Sequence, residues 1–216
     1  LYEDTDFGQE IVDATEDQLE EMGMNLVERA SAKPTDTDFT AQIKKLKNAN
    51  CDLVAMGTIV RTTILPFMKA KEIGWANVDF VTTSASYYTV VAEQPNGVMN
   101  GLYCLNSLVF PYYDTANQIE KDWWDEFKNI YGYEPNTGAA YGYIFADILI
   151  EALKETGKDL TVDSFISSME SIKNYEDPLK TGSVTFSETR RQGSNISYFF
   201  QVQEERFKVI SGPIAY

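Results

Sequence analysis

Residues 52–81 read DLVAMGTIVRTTILPFMKAKEIGWANVDFV. Two short β-type runs, Asp52-Leu-Val-Ala-Met56 and Val78-Asp-Phe-Val81, flank a helical stretch that closes at Lys71-Glu-Ile-Gly74, where glycine supplies a left-handed cap. Strand, helix and strand at this spacing form the unit of a parallel sheet, because parallel neighbours need a long crossover between them. The same punctuation recurs on either side. Glu20-Glu-Met-Gly23 and Glu155-Thr-Gly157 end two further helices, and Asn25–Arg29 has β character. The alternation predicts an α/β fold with a doubly wound parallel sheet.

Asp4-Thr-Asp-Phe-Gly8 and Asp36-Thr-Asp-Phe-Thr40 both precede helical patterns and read as strand-to-helix turns, with Asp6 and Asp38 placed to accept from first-turn amides. In the second of these helices Phe39, Ile43 and Leu46 share an inward face while Lys44, Lys45 and Lys47 turn to water. Beyond Gly97 the pattern changes to a strand at Val98–Leu105, an aromatic connector over 106–114, and then helices. Ile119, Trp123, Phe127 and Ile130 form one expected core stripe, and Tyr143, Ala146, Ile150 and Leu153 another. A helix over Val162–Ser171 follows, and β character returns in Gly182–Phe186, Ile196–Gln203 and Phe207–Ile210.

Composition narrows the function. Lys and Arg total 18 against 33 for Asp and Glu, a net charge of −15 that repels nucleic acid and anionic lipid alike. Histidine is absent, which removes Ser-His-Asp and Cys-His catalysis and the usual neutral-pH general base. Neither a dinucleotide fingerprint nor a P-loop occurs, and Gly138-Ala-Ala-Tyr-Gly142 falls inside a helix. The acidic run of Asp13, Glu16, Asp17, Glu20 and Glu21 reads as a solvated helix face. No enzymatic activity, metal or cofactor is expected. Cys51 and Cys104, in apolar surroundings, read as free thiols. Leu1-Tyr2 runs straight into turn-like Glu3-Asp-Thr-Asp6, so the chain is expected to begin within an element.

In an open α/β sheet the ligand crevice lies outside the carboxyl ends of the strands. Three such ends carry aromatic, apolar and hydroxyl residues: Asp6-Phe7-Gly8, Gly57-Thr58-Ile59-Val60-Arg61, and Thr82-Thr83-Ser84-Ala85-Ser86. A structural alternative stands beside each. Phe7 can anchor its turn, Thr58 and Ser84 can cap helices, and Arg61 can be an exposed charge.

The order of motifs resembles a known family. Tyr2-Glu-Asp-Thr-Asp-Phe-Gly8, Thr35-Asp-Thr-Asp-Phe-Thr-Ala-Gln-Ile43, Cys51-Asp-Leu-Val54 and Ala70-Lys-Glu-Ile-Gly74 are similar to the second lobe of branched-chain amino acid type (type 1) periplasmic binding proteins. Asn136–Gly157 resembles the long helix of that family's returning first lobe, and Gly182–Phe186 with Tyr198–Val202 its closing segment. The resemblance implies two doubly wound Rossmann-like lobes, joined by crossings near 105–112, before Leu1 and near 192–195. Residues 1–105 plus 195–216 would form the second lobe. Residues 106–194 would form a mostly helical remainder of an incomplete first lobe, whose missing or separate N-terminal segment would complete it.

The implied function is that of the exported, extracytoplasmic solute-binding component of an ABC importer. It would capture a small polar or aromatic molecule by hinge closure and present it to a membrane permease. A ligand-sensing domain of a receptor or regulator with the same fold is the alternative. Family positions fall on Phe7 as a stacking aromatic, on Thr58, Ile59 and Val60 in the turn after the third strand, and on Ser84, where amino acid binders carry an acid. Ala85 continues that loop, and Tyr87, Tyr88 and Tyr141 are expected lining. Serine cannot neutralise a buried ammonium, so a carboxylate, amide or polyol is expected ahead of an amino acid.

Overall fold

The computed structural model describes residues 1–179 and 181–215. Two compact units divide the chain, one made of Leu1–Asn106 with Phe199–Gly212, the other of Ser107–Tyr198 with the stretch from Pro213.

The first unit is α/β. In chain order it holds β1 (Tyr2–Glu3), α1 (Asp6–Glu21), β2 (Ser31–Ala32), α2 (Thr40–Asn48), β3 (Leu53–Met56), α3 (Val60–Glu72), β4 (Asp79–Thr82), a 3-10 turn at Ser84–Ser86, α4 (Thr89–Ala92) and β5 (Tyr103–Asn106). β1 pairs with β2, β3 with β4, and β4 with β5, all in parallel. The sheet that begins with β3 runs β3-β4-β5-β8-β9, where β8 is Ile196–Gln203 and β9 is Arg206–Ala215. β8 turns into β9 through Glu204 and Glu205, both with positive φ (53° and 61°), the geometry of a two-residue hairpin.

Local chemistry sets the helix limits. Thr5 Oγ1 accepts from Gly8 N at 3.2 Å, so Thr5, not Asp6, opens α1. Asp38 accepts from Thr40 N and Thr40 Oγ1 at 2.9 and 2.6 Å, in front of α2. Gly23 and Gly74 end their helices at φ of 70° and 65°. Phe39, Ile43 and Leu46 are buried as expected, among a core that includes Val54, Met56, Phe80, Leu102 and Val202. Tyr87 is fully buried in that core, its ring 4.7 Å from Phe200 and 4.6 Å from Phe207 between centroids, so it packs the unit instead of lining a ligand.

Two strand expectations fail. Asn25–Arg29 is not a strand, because β1 offers partners only for Ser31 and Ala32, and a strand without a neighbour has no ladder. Val98–Leu105 shortens to Tyr103–Asn106, since Asn96, Gly97 and Gly101 adopt φ of 62°, 59° and 95° and turn the chain.

The second unit is mainly helical: α5 (Gln118–Tyr131), α6 (Thr137–Thr156) and α7 (Val162–Ser171), with short β6 (Tyr175–Glu176) antiparallel to β7 (Ser183–Val184). Asn117 and Glu120 exchange hydrogen bonds across the first turn of α5, and Gly132 closes it at φ 78°. The expected core stripes are displaced. On α5 Trp123 and Trp124 are buried while Ile119 and Ile130 are exposed, and on α6 the buried line is Ala140, Ile144, Ile148 and Ala152. Helix α6 is apolar nearly all round, so periodicity alone does not choose its inward face. Cys51 and Cys104 are free, and burial holds the Cys104 thiol far above the ordinary range.

Candidate functional site

A parallel bridge joins β1 to the end of β3: Glu3 N donates to Gly57 O and Gly57 N to Leu1 O, each at 2.9 Å. The strand order is therefore β2-β1-β3-β4-β5. From β1 the chain crosses outward to β2, whereas from β3 it crosses the other way to β4. Between β1 and β3 lies the point at which a doubly wound sheet opens a crevice outside its carboxyl ends. The residues there are Glu3 to Gly8 and Gly57 to Thr62.

Two glycines let these segments meet. A Cβ on Gly8 would lie 2.0 Å from Glu3 O, and one on Gly57 would lie 3.0 Å from the Ile11 side chain and 3.2 Å from Gly8 O. Neither glycine has positive φ, so the requirement is for space and not for a left-handed backbone.

Beneath the edge a chain of buried hydroxyls ties the ends of β3 and β4 to α3. Thr58 Oγ1 is 2.6 Å from Thr63 Oγ1, which is 2.7 Å from Ser86 Oγ. Thr82 Oγ1 donates to Ser86 Oγ at 2.9 Å, and Ser86 Oγ donates to Thr58 O at the same distance. All four side chains are buried. Each such bond contributes on the order of 1 kcal/mol, and an unpaired buried hydroxyl would cost more.

These contacts sort the expected site residues. Thr58 points inward and contributes its backbone to the edge. Ile59 is 44% exposed, Val60 and Phe7 are half-buried, and all three stand at the switch point. Ser84 is exposed and Ala85 half-buried at the end of β4, where Thr83 Oγ1 accepts from Ala85 N at 3.3 Å and takes the capping role. Tyr88 is half-buried just before α4. The Arg61 guanidinium donates to Pro34 O and is committed to that loop. The opening amides of α3 have no acceptor within the helix and direct its positive end at the same edge.

Glu3 was not foreseen. It is 4% exposed at the end of β1, and its carboxylate accepts from Ile59 N at 3.4 Å and from the Thr62 hydroxyl. A period-2 strand puts Leu1 and Glu3 on one face. Both are buried, and that alternation was the available signal.

Tyr141 belongs to the helical unit, where its ring stacks on Phe145 with centroids 5.6 Å apart. It lines a cavity of about 510 Å³ with Ile144, Ile148, Phe165, Met169 and Tyr175 among the other walls. Asp177 sits at its margin, bonded to Leu179 N, Thr181 N and Thr181 Oγ1. Burial raises the Asp177 carboxyl above its usual range, while those three donors oppose the shift. Among the described residues no cluster of three or more His, Cys, Asp or Glu side chains is placed to hold a metal, and no helix is long and apolar enough to cross a membrane.

The family model described as "Periplasmic binding protein" matches residues 1–206. A Leu/Ile/Val-binding protein homolog 8 of Brucella abortus is 18% identical over 175 residues, which are 80% of this chain and 43% of that protein. A branched-chain amino acid ABC transporter protein of Thermus thermophilus, solved with bound valine, superposes with a TM-score of 0.86 at 16% identity, over all of this chain and 59% of its own. A leucine-binding protein of Thermotoga maritima gives 0.76 at 18% identity, covering 96% and 57%. The chain thus spans less than half the length of the curated relative and about three-fifths of the solved ones. These likenesses place its fold with the type 1 periplasmic binding proteins.

Proposed function

We propose that this chain, which belongs to the periplasmic binding protein family, forms the capturing edge of an extracytoplasmic solute-binding component of an ABC importer and catalyses nothing. The observation that carries the reading is the strand order β2-β1-β3-β4-β5, whose switch point presents half-buried Phe7, Val60 and exposed Ile59 beside the positive end of α3. An apolar body would lie on those side chains, and a ligand oxygen would accept from opening amides of α3 beyond Ile59 N, which donates to Glu3. Ser84 and Tyr88 would bound the site on the β4 side.

The ligand class follows from the same residues. Where an amino acid binder needs an anion for the ammonium, the turn after β4 offers Ser84. A small carboxylate is favoured over its zwitterionic counterpart, although a valine complex exists for the Thermus thermophilus neighbour. A hinge closing on this ligand would present it to a membrane permease.

The second unit fits the same account. Phe145 and Leu149 on α6, 62% and 47% exposed, flank the 510 Å³ cavity. A sheet from further chain would cover that face and complete the first lobe, so the cavity serves as a packing seat and not as a second ligand site.

The test uses isovalerate and L-valine, which differ by the ammonium group. With a segment that completes the first lobe supplied, thermal-shift and calorimetric titrations should give a larger response to isovalerate, and Ile59→Asp should abolish it. A stronger response to L-valine would sink the argument from Ser84. Responses that Ile59→Asp leaves intact would sink the site.

A further inference from the structure

Helix α3 begins after Ile59, a residue whose side chain has no oxygen and cannot cap it. One of the donors at this end, the amide of Ile59 itself, is satisfied from a different strand. Ile59 N donates to Thr62 Oγ1 at 3.1 Å and to Glu3 Oε1 at 3.4 Å, and the Thr62 hydroxyl donates a hydrogen bond to the same Glu3 oxygen. Glu3 and Thr62 are 4% and 1% exposed, so water does not compete for these bonds. The partners of this buried carboxylate are a hydroxyl and a backbone amide at the positive end of a helix of 13 residues. Backbone bonds from Glu3 N to Gly57 O and from Gly57 N to Leu1 O hold the two segments in register beside it. Glu3 is thereby fastened to the one turn that carries both Ile59 and Val60.

We propose that Glu3 is a positioning residue of the ligand edge, capping α3 from β1 and so fixing where the turn at residues 59–62 presents Ile59 and Val60. The proposal rests on the binding reading above. Glu3 does not touch the ligand; it acts through Thr62 and the backbone of Ile59. Glutamine in its place keeps an acceptor for the Thr62 hydroxyl but loses the charge that the helix end favours, whereas alanine removes both.

Amide exchange by NMR on the parent chain, Glu3→Gln and Glu3→Ala tests the cap directly. Exchange at Ile59 should quicken by about tenfold or more in Glu3→Ala and by less in Glu3→Gln, while Val54 in β3 and Phe80 in β4 keep the parent rate. Thr62→Val cuts the relay from its other end and should quicken Ile59 similarly. It also serves if Glu3→Ala fails to fold. Calorimetric titration with isovalerate should then show affinity about tenfold weaker in Glu3→Ala or Thr62→Val, and within about threefold of the parent in Glu3→Gln. Unchanged Ile59 exchange overturns the proposal. So does faster exchange that spreads equally to Val54 and Phe80, since that marks a residue of general stability. Loosened Ile59 with undiminished affinity also overturns it. If neither isovalerate nor L-valine binds even with a segment that completes the first lobe supplied, the binding reading fails, and Ile59 compared with Val54 still decides whether Glu3 is the cap.

Discussion

Gly8 shows how little tolerance the edge has at the scale of one residue. A Cβ there would lie 2.0 Å from a backbone oxygen, and no rotamer change relieves a clash with backbone. Gly8→Ala should cost about 3 kcal/mol or more, the upper end of overpacking, measured as a lowered midpoint in urea unfolding. Gly142, whose added Cβ meets nothing within 4 Å, is the control and should tolerate alanine. The sequence placed Phe7-Gly8 at a strand-to-helix turn because that motif is local. Glu3 was missed for the opposite reason: within Glu3-Asp4-Thr5-Asp6 it looks like a solvated turn, and although the alternation with Leu1 points to burial, its hydroxyl partner is Thr62, 59 residues on. Single-residue roles that rest on distant partners do not appear in spacing or composition.

Whole elements were read well where their limits are chemical and poorly where they depend on neighbours. Helix α7 begins at Thr161, which accepts from Ser164 N at 3.1 Å, and β8 occupies the span its β-type residues suggest. The inward face of α6 could not be read, because Tyr143, Ile150 and Leu153 repeat as regularly as Ile144, Ile148 and Ala152. Asn25–Arg29 had suitable residues and no partner. The β8–β9 hairpin offers a test at this scale. Glu204 and Glu205 both hold positive φ, a conformation that asparagine and glycine adopt far more readily. Replacing the pair by Asn-Gly should stabilise the first unit by about 1 kcal/mol, read from thermal or urea unfolding. The Glu204–Lys208 pair lost with it is exposed and contributes little. Glu205 also accepts from Gly97 N at 3.0 Å, so a gain smaller than Glu204→Asn alone would assign that bond a larger share than the turn strain.

For the whole molecule the dominant quantity is charge. A net −15 on 216 residues makes folding work against self-repulsion, while the ion pairs that oppose it, such as Lys128–Glu134 at 3.1 Å, are exposed and weak. Raising NaCl from 10 to 150 mM shrinks the screening length from about 30 to about 8 Å, which weakens the long-range repulsion more than contacts at about 3 Å. The melting temperature should therefore rise over that interval. A fall would mean that the surface ion pairs outweigh the repulsion.

The hydroxyl chain of Thr58, Thr63, Ser86 and Thr82 has a consequence for how such an edge can change. Its bonds, the two close-packed glycines and the Glu3 cap fix the backbone from below, and Ile59, Val60 and Ser84 take no part in that fixing with their side chains. Those three positions can be exchanged without disturbing what supports them. Selection for a new ligand can therefore act there while the stability of the fold stays nearly constant, and the frame can be inherited unchanged by descendants of different taste.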